Sequence, residues 1–197
     1  MVVKTVIFDL DGTITEPFLS FDAIRNDIGF GPDDGPILEL MEKMNPEELA
    51  AANAVLHKHE TEAVEKSTLN DGAAETLDKL RANGINIGIL TRNMRNNALA
   101  IESRHSLKFD AIVAREDGPV KPDAFGVLKL CENFKSKPEE TMVVGDFLYD
   151  LLSAKAAGAI SVLINNHKNA KDFRVHADYT IDSLGEIVDI IERHKGN

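Results

Sequence analysis

Val2-Val3-Lys4-Thr5-Val6-Ile7-Phe8-Asp9-Leu10-Asp11-Gly12-Thr13 is the stretch that decides the fold. An apolar run rich in β-branched residues stops abruptly at Asp9, and a second carboxylate, Asp11, follows two residues later. Such a run predicts a strand buried on both faces, as in parallel sheets. In an open α/β sheet ligands bind beyond the carboxyl ends of the strands, so Asp9 and Asp11 fall where such a fold places its chemistry. Residues two apart on a strand point the same way. Two like charges at one mouth repel, which makes little structural sense unless a cation sits between them. Gly12 then permits a tight turn or the close backbone approach of an anion site. A strand ending in an ordinary Asx-type turn would also read Asp-x-Asp-Gly, and the rest of the chain decides between the two.

Further strand-like runs lie at Ile85–Leu90, Ala111–Val113, Thr141–Val144 and Ile160–Ile164, with a weaker one at Asp178–Ile181. Helical patterns fall between them, at Asn93–His105, Asp123–Phe134, Leu148–Ala157 and Ser183–His194. Pro122 fits the first turn of its helix, and Gly158 fits the position just past the end of another. This alternation predicts right-handed crossovers and an α/β fold: a Rossmann-like parallel sheet with helices on both faces. The span from about Ile14 to Asn83 is too long for one crossover helix. It reads as a connector at Glu16–Ser20, a short helix Phe21–Ile28, a Gly- and Pro-dense loop Gly29–Pro36 and a helix Ile37–Met44. Asn45-Pro46-Glu47-Glu48 then starts a long helix to about Lys66, with an N-cap, Pro in the first turn and Glu at the capping-box position. A last helix, Asn70–Asn83, leads back to the sheet and ends at Gly84.

Three more signals sit after, or close to, apolar runs. Thr91 follows Ile85–Leu90, Lys121 precedes Pro122, and Gly145-Asp146-Phe147-Leu148-Tyr149-Asp150 follows Thr141–Val144. In this order, with Asp9-Leu10-Asp11-Gly12-Thr13, they resemble the four motifs of the haloacid-dehalogenase-like superfamily of phosphohydrolases, over the whole chain. The resemblance implies a Rossmann-like core, residues 1–15 and 70–197, and a small helical cap inserted at 16–69 that closes over the site and selects the substrate. The cap location is like that of phosphoglycolate-phosphatase-like members.

The resemblance also implies roles. Asp9 is the nucleophile, forming an aspartyl-phosphate. Asp11 is general acid and then general base. Dehalogenases of the superfamily lack a carboxylate at that position and cation-pumping ATPases carry Thr, so Asp11 indicates a phosphatase or phosphomutase. Mg2+ is the implied cofactor, held by the Asp9 carboxylate, the Asp11 backbone carbonyl and Asp146, with Asp150 supporting the ligands or, as the second choice, binding directly. Substrate phosphate is met by Asp11, Gly12, Thr91, the backbone at Arg92, and Lys121. Thr91 is read as opening a helix whose first N–H groups bind phosphate, and Lys121 as neutralising phosphate and restraining Asp9. The bulky Phe147 and Leu148 stand where the family often has a small polar residue.

Composition narrows the partners. A formal charge of −11 argues against nucleic acid. Twelve acids against four bases in residues 14–70 carry −8 of it, which disfavours polyanions and leaves a small phosphorylated metabolite. No apolar run approaches the ~20 residues of a membrane span, Val2–Phe8 reads as a strand rather than a leader, and the single cysteine, Cys131, suits a reducing cytoplasm as a small core residue. His57 and His59 face different sides of a helix and do not read as a zinc site. Arg25, Lys43 and Lys58 are candidate substrate contacts. The rivals are a β-phosphoglucomutase-like phosphomutase, which shares the core motifs, and a non-catalytic phosphate-sensing or scaffold protein of the same fold. Neither the particular substrate nor the oligomeric state is legible.

Overall fold

The computed structural model describes residues 2–195. They form two compact units, one holding the described residues up to 17 and from 68 onward, the other residues 18–67.

The larger unit is built on six parallel strands: β1 (Thr5–Phe8), β2 (Asn86–Leu90), β3 (Ala111–Val113), β4 (Thr141–Gly145), β5 (Ile160–Ile164) and β6 (Tyr179–Ile181). Their order is β3-β2-β1-β4-β5-β6. Chain order therefore runs outward in both directions from the β1–β4 pair, which makes the crevice beyond those two strands the switch point where such sheets bind ligands. Phe8 pairs with Ile89 on one side and Val144 on the other, so the residues that follow these strands emerge at one level. Every residue of β1 is buried. Ile7 joins Leu90, Val113, Val143, Leu130, Cys131 and Ala154 in one core cluster. By strand alternation Val6 and Phe8, also fully buried, face the other side.

Four helices flank this sheet: α4 (Ala73–Ala82), α6 (Phe125–Phe134), α7 (Leu148–Ala157) and α9 (Glu186–Lys195). Helices α6 and α7 pack together on one layer and α4 and α9 together on another. Two others are α5 (Arg95–Arg104) and the short α8 (Ala170–Phe173). The smaller unit holds α1 (Phe21–Ile28), α2 (Ile37–Met41) and α3 (Pro46–Lys66), around Ile24, Ile37, Met41, Ala52 and Leu56. The Asn45 cap forms as read, its side chain accepting from the N–H groups of Glu47 and Glu48 while Glu48 accepts from that of Asn45. Among the described residues no helix is long and apolar enough to cross a membrane.

Several helix starts differ from the pattern reading, each because a side chain takes over the backbone locally. Helix α4 begins at Ala73 rather than Asn70, since the Asn70 amide donates to the carbonyls of Gly12, Thr13 and Thr15 at 2.7–3.1 Å. Helix α6 begins at Phe125, not Asp123, because the Asp123 carboxylate accepts the Phe125 N–H at 2.7 Å; Pro122 thus lies in the preceding turn, not in the helix. Helix α2 stops at Met41: the Glu42 N–H still bonds four residues back to Leu38, but those of Lys43 and Met44 tighten to carbonyls three residues back. In the smaller unit the loop Gly29–Pro36 is tied down rather than loose. Arg25 donates to the carbonyls of Gly31 and Gly35, and Asp34 accepts the Gly31 N–H at 2.6 Å. Arg25 is thereby committed to the loop, whereas Lys43 and Lys58 are exposed. His59 Nε2 lies 2.8 Å from Asp27 Oδ2, and His57 is exposed.

Candidate active site

The first strand delivers Asp9 to the carboxyl edge, where its N–H is still held by the Val144 carbonyl at 2.9 Å. Asp146 arrives one residue after β4, and Asp150 comes from the first turn of α7. One oxygen from each of these three carboxylates lies within 4.8 Å of the others. Lys121 reaches in with its ammonium 2.5 Å from Asp9 Oδ1 and 2.6 Å from Asp150 Oδ1, and is itself only 4% exposed. Asp150 is 2% exposed and has both oxygens engaged, Oδ1 by Lys121 and Oδ2 by the Phe147 N–H at 3.1 Å. It buttresses the ammonium and the loop.

Two glycines make this crowding possible. A Cβ on Gly12 would lie 2.5 Å from Asp146 Oδ2, and Gly12 has a φ of +88° that L side chains avoid. A Cβ on Gly145 would lie 2.2 Å from the Asp150 carboxyl carbon. Gly84 has a similar positive φ, +72°, but open space around it. Gly84→Ala is therefore expected to cost about 1 kcal/mol from backbone strain alone, and Gly12→Ala about 3 kcal/mol once the collision with Asp146 is added. Thermal melts of the two variants compare them directly; equal costs would mean that Asp146 does not depend on the missing Cβ.

The electrostatics are those of a site short of positive charge. Burial first, and then the Asp9 and Asp150 charges, push Asp146 up to about 8. Burial raises Asp9 to about 6 against the opposing Lys121 ammonium, with Asp150 adding to the rise. Burial and the charge of Asp9 raise Asp11 to about 6, although an Asn93 hydrogen bond pulls the other way. Burial works against the Lys121 charge, yet Asp150 and Asp9 hold its pKa well above the ordinary lysine range. One ammonium thus faces several carboxylates. All-oxygen donors of this kind suit a hard divalent cation, and Asp9 with Asp146 are placed to hold one.

Asp11 stands apart from this trio. Its Oδ2 accepts from the Asn93 amide at 3.1 Å. Thr91 is buried at the end of β2, and its Oγ1 accepts the Asn93 N–H at 2.9 Å. It does not open a helix. Helix α5 begins at Arg95, and the Arg95 N–H is taken by the Glu116 carboxylate at 3.1 Å. The first N–H of this helix is therefore already taken by a carboxylate. The Arg92 guanidinium donates to the Lys121 carbonyl and lies 5.2 Å from the centre of the Tyr149 ring, so its charge serves the scaffold around Lys121. Asn93, Asn70 and Tyr149 carry no sequence signal of their own. Asn-rich segments beside a motif loop were the only available hint.

Comparison with known proteins places this arrangement. The family description for haloacid dehalogenase-like hydrolases matches residues 19–164. The chain belongs to that family. The matched stretch starts after the Asp9–Thr13 loop, so membership of the haloacid dehalogenase-like hydrolases does not lean on those residues. An uncharacterized hydrolase of Saccharomyces cerevisiae is 30% identical over 96% of this chain and 91% of its own length. A pyrophosphatase, PpaX, of Halalkalibacterium halodurans is 28% identical over 97% of this chain and 98% of its own. Among solved structures, a predicted phosphoglycolate phosphatase from Haemophilus somnus 129pt superposes with a TM-score of 0.72. That protein is 21% identical, over 95% of this chain and 97% of its own, and the likeness speaks for the haloacid dehalogenase-like fold.

Proposed function

We propose that this hydrolase is a Mg2+-dependent phosphatase of a small phosphorylated metabolite, working through a phosphorylated Asp9. The observation that carries the reading is the Lys121 ammonium locked between Asp9 and Asp150, which aims a restrained carboxylate out of the first strand. Asp9 attacks phosphorus as the bond to the leaving oxygen breaks, and Asp11 gives that oxygen its proton. Asp11 then takes a proton from water, whose oxygen attacks the phosphorylated Asp9 and frees inorganic phosphate. Lys121 and the Thr91 hydroxyl bind the phosphoryl oxygens. Asp9, the Asp11 carbonyl and Asp146 would hold the cation, which would supply positive charge for the transferring group. The helical unit, residues 18–67, is assigned to substrate selection, in keeping with its place in the chain after the Asp9 loop. Its acidic composition favours small ligands over polyanions.

Chelation is expected to abolish phosphate release from a panel of phosphorylated metabolites, and Mg2+ to restore it. Ca2+ should serve poorly because its looser coordination spoils in-line geometry. Full turnover by metal-stripped protein would sink the reading, as would efficient turnover of a phosphopeptide with no metabolite accepted.

The same cation should couple to pH. Unfolded aspartates titrate near about 4, whereas the folded site holds protons up to about 6 on Asp9 and Asp11 and about 8 on Asp146. The folded, metal-free protein then binds more protons than the unfolded chain, so this contribution to stability is lost as pH rises through those values. Mg2+ takes the protons' place. At about 100 times its dissociation constant it adds about 2.7 kcal/mol, roughly 5–10 °C for a chain of this size. The shift should be large near about pH 8 and small near about pH 5; equal shifts would count against binding at these carboxylates.

A further inference from the structure

Asn93 is 4% exposed and held on every polar atom. Its Oδ1 accepts the Met94 N–H at 2.7 Å and an Asn97 Nδ2–H at 2.8 Å. Its own N–H donates to Thr91 Oγ1 at 2.9 Å, and its carbonyl accepts the Arg115 N–H at 3.2 Å. A backbone N–H can only donate, so the end of the amide facing Met94 must be the oxygen. The other end, Nδ2, is left facing Asp11 Oδ2 at 3.1 Å and cannot flip away without setting donor against donor. No described residue donates to the second Asp11 oxygen, Oδ1.

We propose that Asn93 is the positioning residue for proton transfer by Asp11, reserving Oδ2 for itself so that Oδ1 alone carries and delivers the proton. The inference rests on the acid–base part given to Asp11 above. A protonated carboxyl has one O–H and one bare oxygen, and the bare oxygen is the better acceptor for an N–H donor. With Oδ2 occupied, the proton sits on Oδ1 and passes from there to the leaving oxygen as the phosphorus–oxygen bond breaks. The N–H bond to Oδ2 remains and stabilises the carboxylate that results. Asn97 fixes the amide, the amide fixes the carboxyl plane, and the relay ties the Asp9 loop to the residues after β2. Asn93 and Asn97 are buried, where an amide with no such partners is costly.

The test compares kcat/KM on phenyl phosphate, whose leaving oxygen needs a proton, with kcat/KM on 2,4-dinitrophenyl phosphate, whose leaving oxygen does not. Asn93→Ala and Asn93→Asp are measured beside Asp11→Asn, with thermal melts to confirm folding. Asn93→Asp keeps an acceptor for Met94 and Asn97, so it folds even if the alanine variant does not, but sets a second carboxylate oxygen against Oδ2. That oxygen repels Asp11 or draws its proton sideways. Both variants should lose about 100-fold on phenyl phosphate, within the range a positioned acid contributes, and at least ten times less on the dinitrophenyl ester. Equal losses on the two esters, or no loss in the folded aspartate variant, would overturn the positioning part while Asp11→Asn still discriminated. If Asp11→Asn itself treats the two esters alike, the acid part of Asp11 has failed and the inference falls with it.

Discussion

Asp9→Asn is expected to remove at least about 10⁴-fold of turnover, the range in which loss of a nucleophile falls, while leaving the fold in place. The amide is nearly isosteric and its oxygen can still accept from the Lys121 ammonium, which lies 2.5 Å from Oδ1 in the native site. What it lacks is a charge able to attack phosphorus. The substitution also removes one of the crowded carboxylates that burial has pushed up in pKa. The metal-free variant should therefore melt no lower than the native protein, and its response to Mg2+ should weaken. Acid quenching during turnover offers a second readout: phosphate should be found bound to the native chain and not to the variant. Retention of more than about a hundredth of the native rate would move the nucleophile elsewhere, since no single electrostatic contact is worth that much less than covalent attack.

Lys121→Met should have the other large effect, and on two properties at once. Methionine fills the space of the stem but supplies no charge, leaving Asp9 and Asp150 without the ammonium they share. Asp150 has nowhere to turn, being 2% exposed. Removing one partner of a buried pair costs about 3–5 kcal/mol, so metal-free protein should melt roughly 10 °C lower, at about 2–4 °C per kcal/mol. Turnover should fall about 10³-fold with the loss of a phosphate-binding charge. Added Mg2+ should recover part of the melting temperature and little of the rate, because a cation can offset repulsion without standing where the ammonium stood. An unchanged melting temperature would mean that the three carboxylates are neutral in the folded protein and that Lys121 serves only catalysis.

Much of the architecture was legible because buried parallel strands advertise themselves. Val6, Ile7 and Phe8, or Val143 and Val144, form apolar runs too short for helices, the first followed at once by Asp9 and the second, after Gly145, by Asp146. The six strands lie where those runs predicted them. The ends of helices were less legible, because they depend on which side chain captures which backbone group. Asn70, Asn93 and Asp123 each displace a helix start by bonding out of register, and nothing in their spacing says so. Asp9 and Asp146, which follow strands, converge with Asp150 from the first turn of α7, while Asp11 stands apart from them. What a linear reading could not supply was the wiring between them. Asn93 meets Asp11 across 82 positions of chain, and Asn70 clasps the Gly12–Thr15 turn from more than fifty away. Such contacts are made by residues chosen for a single distant partner, without periodicity or motif to betray them.

The two crossings between the units carry an evolutionary consequence. The chain leaves the sheet unit at residue 17 and re-enters it at 68. Just inside those points Thr15 is bridged to Leu69, the Glu16 N–H meets the Thr68 carbonyl at 2.9 Å, and the Thr68 hydroxyl meets Glu16. Entry and exit are thus riveted to each other by bonds that belong wholly to the sheet unit. Whatever is spliced between them closes a loop whose ends are already together, and lengthening or exchanging such a loop adds only slowly to its entropic cost. The intervening fifty residues behave as a cassette. Helices can be recruited, traded or resized there without disturbing one rung of the sheet.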